Sequence, residues 1–288
     1  MLLKGFDKFR EKTPMLNGIR ILIVPIYLCI VIWIASYVLN VIILYPESFS
    51  VKLAGFVILY FPIIGFLVIE IICFLLLSQM WLWRDKLKNK WGSLSYQRIL
   101  PIGLSGITII IFLAFYNFNH LPNYSNPISQ TDFSYFLSQP FYSFFKSPWK
   151  NYFYASQLLI GFIMLLLGLS LSFRSIQTFG IDYTTAVYLY FPEESSVQEN
   201  QIYSVLRHPM YSGLLFISLG GFIFNLTVYS LINFVLYSFG FYIHIHFIEE
   251  KELISRFGES YIRYRKEVPP FFINPTKFFR LLTFIIRG

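Results

Sequence analysis

Two short clusters of polar residues in the last third of the chain have types and spacing that suit chemistry. One is RHPMYSG, residues 207–213, and the other contains the adjacent carboxylates Glu249 and Glu250. Pro209 has no amide hydrogen and is tolerated at the first position of a helix, which predicts His208 at the N-cap. The exposed backbone donors of such a helix attract anions. Taken alone, this cluster is also typical of a helix that begins at a membrane interface.

Three further residues of the first cluster suit a bound ligand. Arg207 adds a permanent positive charge, and Tyr211 adds an aromatic face one helical turn later. Gly213 has no side chain, so a ligand could approach the backbone closely there. These features predict a polar pocket at the start of the helix.

The second cluster reads HIHFIEEKELISRFGESYIRYRKEVPPFF and begins at His244. Gly258 is predicted to end one helix, and a second short helix then carries Tyr261 and Tyr264 on one face. On a helix, His244 and His246 point about 200° apart and cannot chelate one ion together. No metal site is predicted.

The elements that must position these clusters are membrane-spanning helices. Only 13% of the residues are charged, against about 25% in a typical soluble domain. A spanning helix needs about 20 residues, and five apolar runs reach that length: 21–44, 53–77, 99–118, 153–173 and 226–248. A sixth run, 214–224, is too short to cross unless its helix begins earlier. The predicted fold is therefore all-α: a polytopic integral membrane protein with five long transmembrane helices and a shorter helix that forms a C-terminal hairpin.

The positive charges fall on one side of this layout. Of the 23 lysines and arginines, 20 lie in segments that share a side with the N-terminus if the hairpin returns the chain. The positive-inside rule then predicts that both termini and the polar pocket are cytoplasmic. The net charge of +8 marks a membrane face, and no nucleic-acid partner is predicted.

The chain divides into two predicted regions. Residues 1–150 form an N-terminal transmembrane region with three spans and an outer aromatic loop, in which residues 119–150 cap the membrane interface. Residues 151–288 form the core that carries both clusters, and its last segment, 277–287, is predicted to lie on the inner membrane surface. Glu70 is the one carboxylate within the second span and is expected to be a protonated or hydrogen-bonded structural group.

The last third of the chain resembles the isoprenylcysteine carboxyl methyltransferase family and the related phospholipid methyltransferases. The resemblance rests on RHPMYSG, the apolar residues 214–248 and EEKELISRFGESYIRYRKEVPPFF taken together. The resemblance covers residues 167–272 and implies a site that binds S-adenosylmethionine and releases S-adenosylhomocysteine. It implies catalytic roles for Glu250, Arg174 and His246. The implied cofactor-binding residues are Tyr203, Arg207, His208, Pro209, Tyr211, Gly213, Glu249, Glu250, Tyr261 and Tyr264.

The implied acceptor is a lipophilic small molecule, lipid or prenylated peptide that enters from the membrane. The family resemblance favours an isoprenylcysteine-type carboxylate as the acceptor. Such a carboxylate is ionised at pH 7, so its methylation needs no general base. An amine or a thiol acceptor would instead require proton removal, for which the glutamate pair and the two histidines are candidates. The sequence leaves the identity of the acceptor and the oligomeric state open.

Two other functions compete with methyl transfer. Membrane sterol reductases that bind NADPH have a similar RHP, Tyr and Gly pattern, but usually carry Asn where this chain has Met210. A transporter would explain Glu70, since buried intramembrane charges often mark a pathway. No second intramembrane acid or base and no inverted repeat accompany it in the sequence.

Overall fold

A computed structural model of the protein describes residues 4–44, 54–119, 136–144 and 150–287. Within those ranges the regular structure is helical, apart from one isolated bridge between Pro140 and Thr227. Between the helices Val228–His244 and Glu250–Phe257 the chain continues as a π-helical turn, Ile245–Glu249. The main helices are α1 Phe6–Lys12, α2 Ile23–Leu44, α3 Ala54–Leu82, α4 Arg84–Trp91, α5 Ser95–Tyr116, α6 Lys150–Phe179, α7 Pro209–Asn225, α8 Val228–His244, α9 Glu250–Phe257, α10 Glu259–Glu267 and α11 Phe278–Arg287.

Among the described residues, five helical stretches are long and apolar enough to cross a membrane, which confirms the predicted number of long spans. Large apolar side chains on their outer surface are exposed, among them Trp33, Phe162 and Phe239. An apolar surface of this extent suits lipid rather than water. The stretches are Gly18–Leu39, Ile63–Leu82, Arg84–Tyr116, Asn151–Phe179 and Val228–Phe257. The fold is therefore that of a polytopic membrane protein.

The sixth apolar run belongs to a helix that begins earlier, as its length required. Helix α7 starts at Pro209 with His208 at the N-cap, which confirms the local prediction. Its 17 residues correspond to about 25 Å. A short link then leads into α8, where the Thr227 hydroxyl accepts a hydrogen bond from the Ser230 amide at 3.0 Å. The Phe141 amide donates to the carbonyl of Leu226 at 2.8 Å and closes this end of the bundle.

Helices α6 and α7 touch through their backbones at two pairs of glycines, and on each helix the two glycines are seven residues apart. A Cβ atom on Gly220 would lie 2.8 Å from the carbonyl oxygen of Gly161, and one on Gly213 would lie 2.7 Å from that of Gly168. Small residues permit such close packing of membrane helices. The space that Gly213 was expected to leave for a ligand is thus occupied by α6, including the hydroxyl of Ser172.

The main apolar core lies among α3, α5, α7 and α8. Its buried residues include Phe66, Ile110, Ile217 and Phe241. The Tyr237 hydroxyl in α8 donates to the carbonyl of Ile110 in α5 at 2.9 Å, so the two helices are also joined by a buried hydrogen bond. This core holds the start of α7 and the end of α8 at the same end of the bundle.

The predicted surface segments are described in part. Helix α11 coincides with the predicted amphipathic segment: Leu281 is buried while Phe279 is 80% exposed. Its position on the inner membrane surface stays a prediction, as does the division at residue 150. Of the predicted interfacial cap, residues 120–135 and 145–149 lie outside the described residues.

Replacing Gly220 with Leu should destabilise the bundle, because the added atoms would push against the backbone of α6. Overpacking of this kind costs about 1–3 kcal/mol of the free energy of unfolding. Thermal unfolding of the purified protein in detergent would measure the loss. Leu219→Phe adds bulk at a partly exposed neighbouring position and is the matched control; an equal loss in both variants would contradict the proposed backbone contact.

Candidate functional site

The two polar clusters meet where α7 begins and the π-helical turn ends. Nδ1 of His208 lies 3.7 Å from Oε1 of Glu249, and its Nε2 lies 3.5 Å from Oε1 of Glu250. The Tyr211 hydroxyl donates to Oε2 of Glu249 at 2.9 Å. The ring of Tyr211 stacks against that of His208 with centroids 5.8 Å apart. Residues separated by about 40 positions in the sequence therefore form one contact network.

Glu250 is buried and paired with two arginines. Its Oε1 lies 2.8 Å from Nη2 of Arg207, and its Oε2 lies 3.2 Å from Nε of Arg265 in α10. Its side chain is only 4% exposed. The backbone strengthens the same junction, because the Arg207 amide donates to the carbonyl of Pro269 at 2.9 Å and the Arg207 guanidinium to the carbonyl of Arg265. A buried carboxylate needs such partners, since an unpaired buried charge is costly.

The π-helical turn sets the direction of the two carboxylates. Adjacent residues of an α-helix point about 100° apart. Here, both Glu249 and Glu250 reach the ring of His208, and Glu249 is the last residue of the π-helical turn. Such turns are rare and are frequent at functional sites. The sequence analysis did not anticipate this feature.

A cavity of about 280 Å³ opens beside this network. One end is polar and aromatic, and there the wall is completed by Ser196, Val197 and Gln198 from the segment before α7. Glu249 lines the cavity, whereas Glu250 lies behind the wall on the arginines. The predicted binding residues that line this end are Tyr203, Arg207, His208, Pro209, Tyr211, Glu249, Tyr261 and Tyr264.

The other end of the cavity is an apolar arm between α3 and α5. Its wall includes Leu77 and Met80 from α3 and Gly103, Leu104 and Ile107 from α5. A Cβ atom on Gly103 would collide with the side chain of Met80, so the glycine lets α5 pack directly against Met80 at the wall of the arm. One continuous cavity thus joins charged groups to an apolar channel. The sequence analysis expected an apolar acceptor but did not identify these residues.

Three buried tyrosines shape the polar end. The hydroxyl of Tyr264 donates to the carbonyl of Tyr203 at 2.7 Å, and the hydroxyl of Tyr203 lies 2.8 Å from Oγ of Ser175. Burial raises the pKa of Tyr203, Tyr261 and Tyr264 above the usual value, so the phenols stay neutral at physiological pH. The buried Tyr261 hydroxyl has no hydrogen-bond partner in the part of the chain that the structure describes. It is therefore available to a ligand.

An aromatic wall follows α6 and was missed by the sequence analysis. The rings of Phe179 and Tyr183 lie 4.4 Å apart, and those of Tyr183 and Tyr188 lie 4.8 Å apart. All three residues line the cavity. The guanidinium of Arg256 sits 4.6 Å from the ring of Tyr188 and covers it from outside. The available signal was the density of aromatic residues in FGIDYTTAVYLYF, residues 179–191.

Two residues with implied catalytic roles lie away from the cavity. Arg174 donates to the carbonyls of Ile285 and Ile286 at 2.8 and 3.2 Å, because its side chain points from α6 toward the end of α11. His246 stacks on Tyr242 with centroids 5.5 Å apart, on the outer side of the helix. Neither lines the cavity. The structure thus groups them with the outer surface rather than with the glutamate pair.

Two further titratable residues are buried beside the site but outside it. His244 places Nδ1 3.1 Å from Oγ of Ser78 and its ring edge against Trp81. Glu70 is buried against α8, where a Cβ atom on Gly240 would lie 2.5 Å from its Oε1. Neither lines the cavity, and both join α3 to α8.

Replacing Arg174 with Gln should loosen α11 without changing the cavity. The guanidinium is the donor to two carbonyls near the end of α11, and glutamine cannot reach both. Amide hydrogen exchange of residues 278–287 should accelerate by about tenfold, equivalent to the loss of about 1.4 kcal/mol of local protection. Arg263→Gln, at an exposed position of α10, is the control. Loss of ligand binding in Arg174→Gln with unchanged exchange would contradict the placement.

Part of the chain is similar to known methyltransferases. Residues 156–260 match the family described as phospholipid methyltransferase. The chain is 32% identical over 110 residues to the protein-S-isoprenylcysteine O-methyltransferase of Xenopus laevis, and 30% identical over 109 residues to the protein-S-isoprenylcysteine O-methyltransferase B of Arabidopsis thaliana. Each alignment covers 38% of this chain, and they span 38% and 55% of the respective relatives.

No solved structure gave a significant match to this chain. The matched segment begins within α6 and ends within α10, so it contains RHPMYSG and the glutamate pair but stops before Tyr261, Tyr264 and Arg265. The arm residues from α3 and α5 lie outside it. The resemblance inferred from the two clusters is therefore confirmed: over residues 156–260, this chain is similar to the phospholipid methyltransferase family and to the isoprenylcysteine methyltransferases.

Proposed function

We propose that this protein transfers a methyl group from S-adenosylmethionine to a lipophilic acceptor held in the membrane. The acceptor that fits best is an isoprenylcysteine-type carboxylate, such as the C-terminus of a prenylated peptide. The observation that carries the proposal is the continuous cavity, which joins a polar and aromatic end to an apolar arm. Such a cavity suits one polar ligand and one apolar ligand that meet inside it.

The residues at the polar end fit S-adenosylmethionine. Its ammonium and sulfonium cations suit the carboxylate of Glu249 and the aromatic rings around it, and its carboxylate suits Arg207. The buried hydroxyl of Tyr261, which lacks a partner among the described residues, can bind a polar atom of the ligand. When bound, the cofactor supplies an already activated methyl group.

The protein's own groups position and enclose the reactants. Glu250 orients Arg207, and Tyr211 orients Glu249. Phe179, Tyr183 and Tyr188 line this end with aromatic surface, which would keep water from the bound reactants. Alignment of two reactants can supply several kcal/mol of rate enhancement, and a carboxylate acceptor is already ionised at pH 7. No residue of the site is then required as a general base.

The apolar arm would hold the hydrocarbon part of the acceptor. Its residues belong to the membrane-spanning helices α3 and α5, so an apolar chain could enter it from the lipid phase. In this arrangement, α7 and α8 form a hairpin and the site faces the cytoplasm, which agrees with the distribution of lysine and arginine. The polar cofactor would then arrive from the cytosol.

A phospholipid headgroup amine is the second candidate acceptor, favoured by the description of the family that matches residues 156–260. An amine is protonated at neutral pH and must lose a proton before or during transfer. Glu249 is the carboxylate that lines the cavity and would accept it. Radiolabelled methyl transfer into a prenylated peptide and into phosphatidylethanolamine, compared side by side, distinguishes the two acceptors.

Replacing Glu249 with Gln or His208 with Ala should each weaken binding of S-adenosylmethionine by at least about tenfold, or 1.4 kcal/mol. Both side chains line the cavity, and neither replacement restores the lost contact. Calorimetric titration of the purified, folded protein measures the effect, with NADPH as a competing cofactor.

Two matched variants control this test. Glu252→Gln removes a nearby carboxylate that pairs with Arg84 and Arg256 instead, and His246→Ala removes a histidine outside the cavity. Both should retain binding. Unchanged affinity in Glu249→Gln and His208→Ala, or preferential binding of NADPH, would refute the proposed function.

Replacing Gly103 with Leu should shorten the apolar chain that the protein accepts. The added side chain would displace Met80, and because both residues line the arm, the displaced thioether and the leucine would leave less room for a long acceptor. We expect KM for a farnesylated substrate to rise about tenfold, with Gly103→Ala intermediate and affinity for S-adenosylmethionine unchanged. An unaltered preference among acceptors of different lengths would show that the acceptor lies elsewhere.

A further inference from the structure

A second cavity lies apart from the site, at the end of the bundle where α4 leads into α5. Its volume is about 520 Å³. The walls are mostly apolar and aromatic, and none of the residues that line the proposed methyl-transfer cavity lines this one. The wall residues used below are Trp83, Leu87, Trp91, Leu94, Ile99 and Ile102.

Two cations flank Trp91 in this second cavity, which we call the groove from here on. Nζ of Lys90 lies 5.0 Å from the centre of a ring of Trp91, and the guanidinium carbon of Arg98 lies 4.9 Å from it. Arg98 also lines the groove itself. Within the described ranges, no carboxylate lies within ion-pair distance of either cation, and Asp85 is taken by Arg84 at 2.8 Å. The groove therefore carries uncompensated positive charge.

The groove also lies at the level of a membrane interface. The stretch Arg84–Tyr116 has 33 residues, whereas a spanning helix needs about 20. Its charged first part must extend beyond the hydrocarbon. Trp83 and Leu94 are 45% and 51% exposed at this level. Tryptophan is enriched where one side of its ring meets apolar chains and the other meets headgroups.

From this combination of charge and surface, we propose that the groove binds one anionic phospholipid. Its phosphate would lie against Arg98 and Lys90, and one acyl chain would follow Leu94, Ile99 and Ile102. A zwitterionic lipid would leave the positive charge uncompensated. A soluble anion would leave the apolar wall exposed, so both parts of the lipid are needed. This inference does not depend on the reaction that the protein catalyses.

The test uses the purified full-length chain in detergent, titrated with phosphatidylglycerol and followed by native mass spectrometry. We expect saturable binding of one lipid, at least fivefold tighter than phosphatidylcholine with the same acyl chains. The double variant Lys90→Gln, Arg98→Gln should weaken binding of phosphatidylglycerol at least tenfold and leave phosphatidylcholine unaffected. Glycerophosphate, which is the headgroup anion alone, should not compete.

Arg280→Gln is the matched control, because it also removes a cation that lies over an aromatic ring, that of Phe284 at 5.6 Å, away from the groove. Its affinity for phosphatidylglycerol should stay unchanged. Trp91→Leu provides an independent variant if the double variant unfolds below the temperature of the wild type, and it should also weaken binding. Equal binding of the two lipids, equal loss in Arg280→Gln, or full competition by glycerophosphate would each overturn the proposal.

Discussion

Burial of two adjacent carboxylates is the constraint on which the site depends. Removing a carboxylate from water costs several kcal/mol unless cations and hydrogen-bond donors replace the solvent. Glu250 meets this requirement with Arg207 from the start of α7 and Arg265 from α10, and Glu249 meets it with the Tyr211 hydroxyl. These partners come from two separate segments of the chain, and the carboxylates themselves come from a third. Pairing them brings the start of α7, the end of α8 and α10 to one place.

The bundle around this junction permits the pairing. Helix α7 can approach α6 closely because glycines from both helices meet along their contact. Tyr237 joins α8 to α5 on the other side. The backbone of Arg207 then pairs with Pro269, which returns the chain across the start of α7. The position of the polar end of the cavity thus follows from contacts made in the apolar part of the protein.

The cavity combines two parts of the chain with different relationships to known proteins. Its polar end comes largely from the segment that resembles methyltransferases, residues 156–260. Its apolar arm comes from α3 and α5, which lie outside that segment. On the proposed function, the first part would hold the cofactor and the second would select the acceptor. Variation in the arm could then change the acceptor without disturbing the chemistry of transfer.

The sequence by itself determined the features that depend on local signals. The lengths of the apolar runs predicted the spans, Pro209 predicted the start of α7, and Gly258 predicted the break between α9 and α10; in the structure Gly258 adopts φ 56° between those helices. The joint pattern of the two clusters also predicted the family resemblance. The first three signals each lie within a single span or helix end, and the joint pattern depends only on sequence spacing, so no knowledge of distant contacts was required.

Only the tertiary structure decided which residues face the cavity. Residue type did not separate Glu249, which lines it, from Glu250, which lies behind it, because the π-helical turn sets their directions. Nor did it show that Arg174 turns toward α11 or that Gly213 packs on α6. Helix contacts, rather than local propensity, decide the direction of a side chain in a bundle whose lipid-facing and buried surfaces are both apolar. For the same reason, the apolar arm between α3 and α5 was visible only after the helices had been packed together.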